Sequence, residues 1–104
     1  MKLQRTELDI TKSLRAIEWL KTELLGAVTL VFRALTKGAD DIIADALAQV
    51  VLIVYLLGRR LGIGFGTIDN RLAHMVRQSI SGEHELETWY GDLSVLEEYL
   101  RSKR

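Results

Sequence analysis

The stretch ADDIIADALAQVVLIVYLLGRRLGI, residues Ala39 to Ile63, decides the fold of this chain. It begins with acidic residues, continues almost without charge, and reaches the pair Arg59 and Arg60. Its charge-free part, residues 46–58, is shorter than the roughly 20 residues that a membrane-spanning helix needs. The stretch therefore predicts a core helix rather than a membrane span.

The ends of this stretch favour a helix over a strand, although the β-branched residues between 50 and 54 would also suit a strand. Asp40 can cap the start of a helix, the two arginines suit its negative end, and Gly62 fits the left-handed residue that follows a helix. A helix from Asp41 to Leu61 would be about 31 Å long at 1.5 Å per residue. Because its second half is apolar on every side, we expect a bundle and a second subunit to cover it.

A second helix is predicted before this stretch. Apolar residues recur at spacings of three and four from about residue 10 to residue 36. Thr6 or Thr11 can cap its start, and the pattern leaves open a break near Glu18.

Two more helices are predicted after the central one. Thr67 can cap a helix over about residues 68–80, and Asp92 can cap a last helix. Between them, EHELETWYG is irregular or forms a short helical turn. These elements predict an all-α chain of four to five helices in a single domain, residues 1–104.

The composition excludes several classes of function. Formal net charge is zero, with 14 basic and 14 acidic residues, so neither nucleic acid nor an anionic membrane surface is an expected partner. The chain has no cysteine and only two histidines, which excludes thiol catalysis and a histidine-built zinc site. The first ten residues lack the apolar core of a signal peptide, so we expect a cytoplasmic protein.

Three segments carry a resemblance to a known family: IEWLKTELLGAVTLVFRAL at 17–35, DIIADALAQVVLIVYLLGRRLGI at 41–63 and GEHELETWYGDL at 82–93. The chain resembles the MazG-like proteins, a branch of the all-α nucleotide pyrophosphohydrolases. The resemblance implies a MazG-type helical bundle that is completed by oligomerisation. It also implies Mg²⁺-dependent hydrolysis of a nucleoside triphosphate to the monophosphate and pyrophosphate.

The carboxylates that bind the metal in the active family are depleted here. Those proteins carry E-x-x-E and E-x-x-D on two facing helices, and the corresponding positions here are Glu23, Gly26, Ala46 and Gln49. Only one of the four carboxylates is retained, and the small residues Gly26 and Ala46 would let the helices approach closely. The sequence thus leaves open a nucleoside triphosphate pyrophosphohydrolase or a non-catalytic module for oligomerisation or nucleotide sensing.

Asp41 and Asp45 could compensate for the missing ligands, because residues four apart lie on one helix face. A rearranged Mg²⁺ site would then consist of Glu23, Asp41 and Asp45, with Mg²⁺ required only if the protein is active. The alternative is that both aspartates merely complement the helix dipole.

In this interpretation Trp19 would contact the base and Lys21 the phosphate of a nucleotide substrate. The alternative is that Trp19 is an aromatic residue of an interface and Lys21 a solvated charge. No catalytic residue can be assigned from spacing. We expect a homodimer or homotetramer with Ala39–Ile63 as its main interface, and a nucleotide as the ligand.

Overall fold

A computed structural model describes the backbone of residues 2–103 and the side chains of residues 7–103. This part of the chain contains five α-helices and no strand, which confirms the predicted all-α class. The helices are α1 (Lys2–Lys37), α2 (Asp40–Arg60), α3 (Phe65–Ser81), α4 (Glu85–Tyr90) and α5 (Asp92–Ser102). The chain divides into two compact units, residues 1–64 and 65–104, which we describe separately. The single domain over 1–104 stays a prediction.

The first unit is a hairpin of α1 and α2. Helix α1 is continuous, so the break near Glu18 is not found. Neither predicted cap begins the helix, because α1 already runs through both threonines, and the Thr11 hydroxyl donates to the carbonyl of Glu7 within the helix. The side chain of Thr6 lies outside the described residues.

The turn between the two helices is only two residues long. Gly38 adopts a left-handed conformation (φ 75°), which a glycine reaches without steric cost, and its N–H donates to the carbonyl of Ala34 at 3.0 Å. Ala39 precedes the first residue of α2 and makes no side-chain cap. Asp40 is therefore the first helical residue rather than the predicted cap, and it lies where a carboxylate favours the helix dipole.

The hairpin is held by a narrow apolar seam. Leu20, Ala27 and Ile53 are almost fully buried, and Leu24, Val50 and Leu57 pack against them. Counted outward from the turn, Leu24 and Ile53 lie equally far along their helices, as do Ala27 and Val50. Burying each larger side chain contributes on the order of 1.5–3 kcal/mol. Because α1 is longer than α2, residues 7–15 extend beyond the end of α2 and have no neighbouring helix within this unit.

Helix α2 ends as predicted at a left-handed glycine. The N–H of Ile63 donates to the carbonyl of Gly58 at 2.8 Å, and the N–H of Gly62 (φ 83°) donates to that of Arg59 at 3.1 Å. This pair of bonds is a Schellman motif, which satisfies carbonyls at the end of the helix.

The second unit consists of α3, α4 and α5, with α5 packed on α3 and on α4. Helix α3 begins at Phe65, inside the glycine-rich segment, so Thr67 is a helical residue and not the predicted cap. Val76 is the one buried apolar side chain of the described part of this unit.

Side chains connect α4 to α5. His84 caps α4, its Nδ1 accepting from the N–H of Leu86 at 3.1 Å. Asp92 is the first residue of α5 and makes no cap, contrary to the prediction. Glu87 takes that role, since one carboxylate oxygen accepts from the N–H of Ser94 at 2.9 Å and the other from the Ser94 hydroxyl. These hydrogen bonds from Ser94 lower the pKa of Glu87 below its ordinary value.

Candidate functional site

The two sides of the α1–α2 hairpin differ in chemistry. On one side, which we call the groove face, residues of α1 recur at spacings of three and four and so share a flank of the helix. These residues are Trp19, Glu23, Gly26, Leu30, Arg33 and Lys37. Two separate grooves open along this face.

The larger one, the turn-end groove, lies beside the hairpin turn and has a volume of about 630 Å³. That volume is in the range of small-molecule sites. Its polar lining comes from Arg33, Thr36 and Lys37 on α1 and from Asp45 and Gln49 on α2. Its apolar lining consists of Leu30, Ala34, Ile42 and Ala46.

The walls of the turn-end groove carry opposite charge. Arg33 and Lys37 lie on α1, while Asp45 lies on α2 with Asp41 one turn before it. Counted from the turn, Arg33 lies within one residue of the level of Asp45, and Lys37 within one residue of the level of Asp41. No ion pair joins these cations to these aspartates in residues 7–103. The open volume thus separates a cationic wall from an acidic one.

The smaller, open-end groove has a volume of about 330 Å³ and lies at the other end of the hairpin. Trp19, predicted as a substrate contact, lines it and is 61% exposed. Arg59 and Arg60 line the same groove, with Ala16, Leu20 and Leu56 as its remaining lining residues. An exposed indole beside two guanidinium groups is a combination that suits a planar anionic ligand.

The three carboxylates predicted as metal ligands are not brought together in one chain. Within residues 7–103, no three His, Asp or Glu side chains form a group that could hold a metal ion. Glu23 lies about nine residues further from the turn than Asp45, on the order of 13 Å along the helix axis. Oxygen ligands of one Mg²⁺ each lie about 2.1 Å from the ion, so Glu23 cannot share an ion with Asp41 and Asp45 in the same chain, and the three together do not fit as one donor set. The site at Glu23, Asp41 and Asp45 stays a prediction.

Lys21 lies away from both grooves. It is about 200° round the helix from Trp19, and its Nζ bonds to Glu18 at 3.1 Å on the exposed surface. Its role as a phosphate contact also stays a prediction.

The close approach predicted for Gly26 and Ala46 is wrong. Gly26 is exposed on the groove face, and a Cβ added there would meet nothing within 4 Å. Ala46 is buried, and so are the small residues Ala27, Ala34 and Gly58 of the same hairpin. Gly26 is not among these buried small residues, and it leaves the groove face open between the two grooves.

The opposite side of the hairpin, the apolar face, carries exposed large apolar residues, among them Leu25 (73% exposed) and Phe32 (67% exposed). The others on this face are Val28, Leu35, Leu47, Val51 and Val54. None of them lines either groove. Monomeric soluble proteins rarely expose apolar side chains in such number side by side, so this face calls for a partner.

Within the described residues, α2 is also the one helix long and apolar enough to cross a membrane, judged by length and composition alone. The core helix of a soluble protein meets the same criterion. In this chain α2 packs along its length on α1, which carries charged residues such as Glu23 and Arg33.

Arg33 and Lys37 were not identified from the sequence as site residues. Their signal was present: they lie four residues apart and continue the flank that Trp19 and Glu23 begin. The turn at Gly38 and Ala39 places Arg33 nearly opposite Asp45, whereas the sequence prediction took the register of the two helices from the family positions.

Comparison with known proteins agrees with the fold and with the quoted segments. The family model described as MazG-like family matches residues 10–93, which includes all of α2, α3 and α4 and most of α1. No curated protein and no solved structure matches the chain. The match covers well over half of the sequence, and the chain therefore belongs to the MazG-like family.

Proposed function

We propose that this protein is a homo-oligomeric, nucleotide-binding member of the MazG-like family, related to the nucleoside triphosphate pyrophosphohydrolases. The observation that carries the proposal is the turn-end groove. It is large enough for a phosphorylated small molecule, it has two cations on one wall, and it holds Asp45 and Gln49. Gln49 is one of the four positions where the active family carries its carboxylates.

Hydrolysis is the second candidate function, and family membership is what favours it. The reaction would break the bond between the α-phosphorus and its bridging oxygen to the β-phosphate, with water adding to the α-phosphorus. Glu23 and Asp45 are the carboxylates on the groove face that could support it. We place binding before hydrolysis because these side chains do not fit a Mg²⁺ site within one chain.

Oligomerisation through the apolar face completes the proposal. A second copy of the chain is a suitable partner because an apolar surface of this kind can pair with itself about a two-fold axis. The charge-free part of α2, residues 46–58, spans about 20 Å, while the hydrocarbon layer of a membrane is about 30 Å thick. We therefore propose a soluble homodimer or homotetramer, in the cytoplasm, over a membrane-bound form.

Two measurements test the proposal. Calorimetric titration with a panel of nucleoside triphosphates is expected to show saturable binding, which Lys12→Gln leaves unchanged. Pyrophosphate release from the same panel, with Mg²⁺ or Mn²⁺, is expected to stay at the rate of the protein-free control. Turnover that Asp45→Asn and Glu23→Gln each abolish, and that Glu18→Gln retains, would establish the hydrolase instead. Absence of nucleotide binding would overturn the proposal.

Light scattering and vesicle sedimentation decide the state of association. We expect a defined oligomer at micromolar concentration that stays in the supernatant with neutral phospholipid vesicles. A well-folded monomer would refute the oligomer, and sedimentation with the vesicles would show that α2 enters a membrane.

A further inference from the structure

The turn-end groove carries its basic residues on α1 and its acidic residue on α2. This asymmetric arrangement of charge indicates which kind of ligand the groove would bind. If the two walls only held the hairpin together, Arg33 would pair with Asp45 and Lys37 with Asp41, because these residues lie at nearly the same level. In the described structure these pairs are absent, and neither cation makes another ion pair. The groove therefore holds two cations on α1 that are not neutralised by the aspartates of α2.

We propose that Arg33 and Lys37 form a clamp for a polyphosphate group, the diphosphate or triphosphate part of a nucleotide or inorganic pyrophosphate itself. The inference rests on the proposed nucleotide binding and names the part of the ligand that this groove recognises. Residues four apart on one helix have Cβ atoms about 5–6 Å apart, close enough for two side chains to reach neighbouring phosphates. The guanidinium of Arg33 can donate two parallel hydrogen bonds to one phosphate, while the ammonium of Lys37 acts as a point charge on the next.

Of the remaining lining residues, Gln49, Leu30 and Ile42 are consistent with an anionic ligand, whereas Asp45 is not. The Gln49 side chain can donate from its amide to a phosphate oxygen. Leu30 and Ile42 supply apolar surface beside the cations, which lowers the local dielectric and strengthens charged hydrogen bonds. Asp45 works against a metal-free phosphate, because like charges repel across the groove.

Two double variants provide a matched test. Arg33→Gln with Lys37→Gln removes the clamp. Lys12→Gln with Arg15→Gln removes the same charge from the same flank of α1, roughly 30 Å from the groove. Calorimetric titration with sodium pyrophosphate in EDTA, without Mg²⁺, is expected to show at least a tenfold weaker affinity for the first variant and less than a twofold change for the second. Equal losses in the two variants would show non-specific charge attraction and would overturn the clamp, as would no loss in either.

A third variant tests the effect of the negative charge of Asp45. Without metal, Asp45→Asn is expected to tighten pyrophosphate binding severalfold, because it removes the opposing carboxylate. Weaker binding would contradict the clamp. Circular dichroism of each variant should match the parent, since all substituted side chains in these variants are exposed.

Titrations with a nucleoside monophosphate, the triphosphate and pyrophosphate show whether the clamp binds the polyphosphate part of a nucleotide or pyrophosphate by itself. Binding of the triphosphate and pyrophosphate but not the monophosphate is the expected result. Pyrophosphate binding without nucleotide binding would remove the proposed nucleotide function and leave the clamp, whereas nucleotide binding that the clamp variant retains would remove the clamp alone.

Discussion

The groove face and the apolar face lie on opposite sides of the same two helices, and they differ in side-chain chemistry while sharing one backbone. The groove face carries Arg33, Lys37 and Asp45 around an open volume, while the apolar face carries exposed residues such as Leu25 and Phe32. Both depend on the seam around Ile53. The comparison shows that a two-helix hairpin of about sixty residues can present two surfaces of different chemistry, a charged groove on one side and an apolar surface on the other.

The largest expected effect comes from the seam that both faces share. Ile53→Ala should lower the free energy of unfolding by about 2–4 kcal/mol, because it leaves a cavity among side chains packed in the hairpin core. Thermal or urea unfolding at fixed protein concentration measures the loss. Leu52→Ala, at a half-exposed position of α2 that belongs to neither face, is the control and should cost less than half as much. Equal losses would mean that the seam is not the core of the hairpin.

The next prediction tests whether the apolar face can be disrupted while the groove face stays intact. Phe32→Glu with Val51→Glu places two charges on the apolar face and should weaken the oligomer at least a hundredfold, since buried unpaired charges are costly. Analytical ultracentrifugation measures the dissociation, and pyrophosphate affinity should stay within about threefold. Val95→Glu on α5 is the control, because Val95 is 68% exposed and Phe32 is 67% exposed. An oligomer that survives the double variant would refute this interface.

A smaller effect tests whether the groove face contains one site or two. Trp19 lies 14 residues, about 21 Å, from Arg33 along α1, which is farther than one nucleotide reaches, so a base contact at Trp19 would mean a second site in the open-end groove. In that case Trp19→Ala weakens nucleotide binding at this second site about five- to tenfold, the range for a lost stacking contact, and leaves pyrophosphate binding unchanged. Trp89→Ala is the matched control, since Trp89 is 65% exposed and Trp19 61%. Unchanged nucleotide affinity in Trp19→Ala would confine the ligand to the turn-end groove.

The smallest effect lies outside the hairpin and leaves both faces intact. Because Ser94 lowers the pKa of Glu87, this carboxylate stabilises the folded state above the pKa of the unfolded chain, and the contribution disappears as pH falls through the lowered value. Glu87→Gln should thus lower the melting temperature at pH 7, and this difference should shrink as the pH falls below the ordinary pKa of a glutamate. Glu98→Gln, on the neighbouring helix α5, provides the control. A difference that grows as pH falls would contradict the assignment.

The helices were predictable because their signals are local. The apolar run of α2 with Asp41 at one end and Arg59 at the other specifies a helix without reference to any other part of the chain. The predicted caps Asp40, Thr67 and Asp92 are wrong because α2 and α5 already begin at the aspartate itself and α3 begins two residues before Thr67, so each of these side chains belongs to the first turn of its helix.

The grooves could not be predicted from the same signals. Their shape depends on how far each residue lies from the turn, and the placement of Glu23 near Gln49 and Asp45 rested on family spacing alone. The seam sets the register instead, so that Arg33 and not Glu23 lies opposite Asp45. The apolar face could be predicted only in outline. The apolar residues of α2 show that this helix must be covered on more than one side, but they do not show which side packs against α1.

The length of α1 has a consequence for the dilute protein. Residues 7–15 extend past α2, and Leu8, Ile10 and Leu14 are exposed there. A helical segment with no neighbour is only marginally stable in water. Its amide hydrogens should therefore exchange with deuterium rapidly in a dissociated chain. If assembly covers these three apolar side chains, the exchange should become slower as the protein concentration rises.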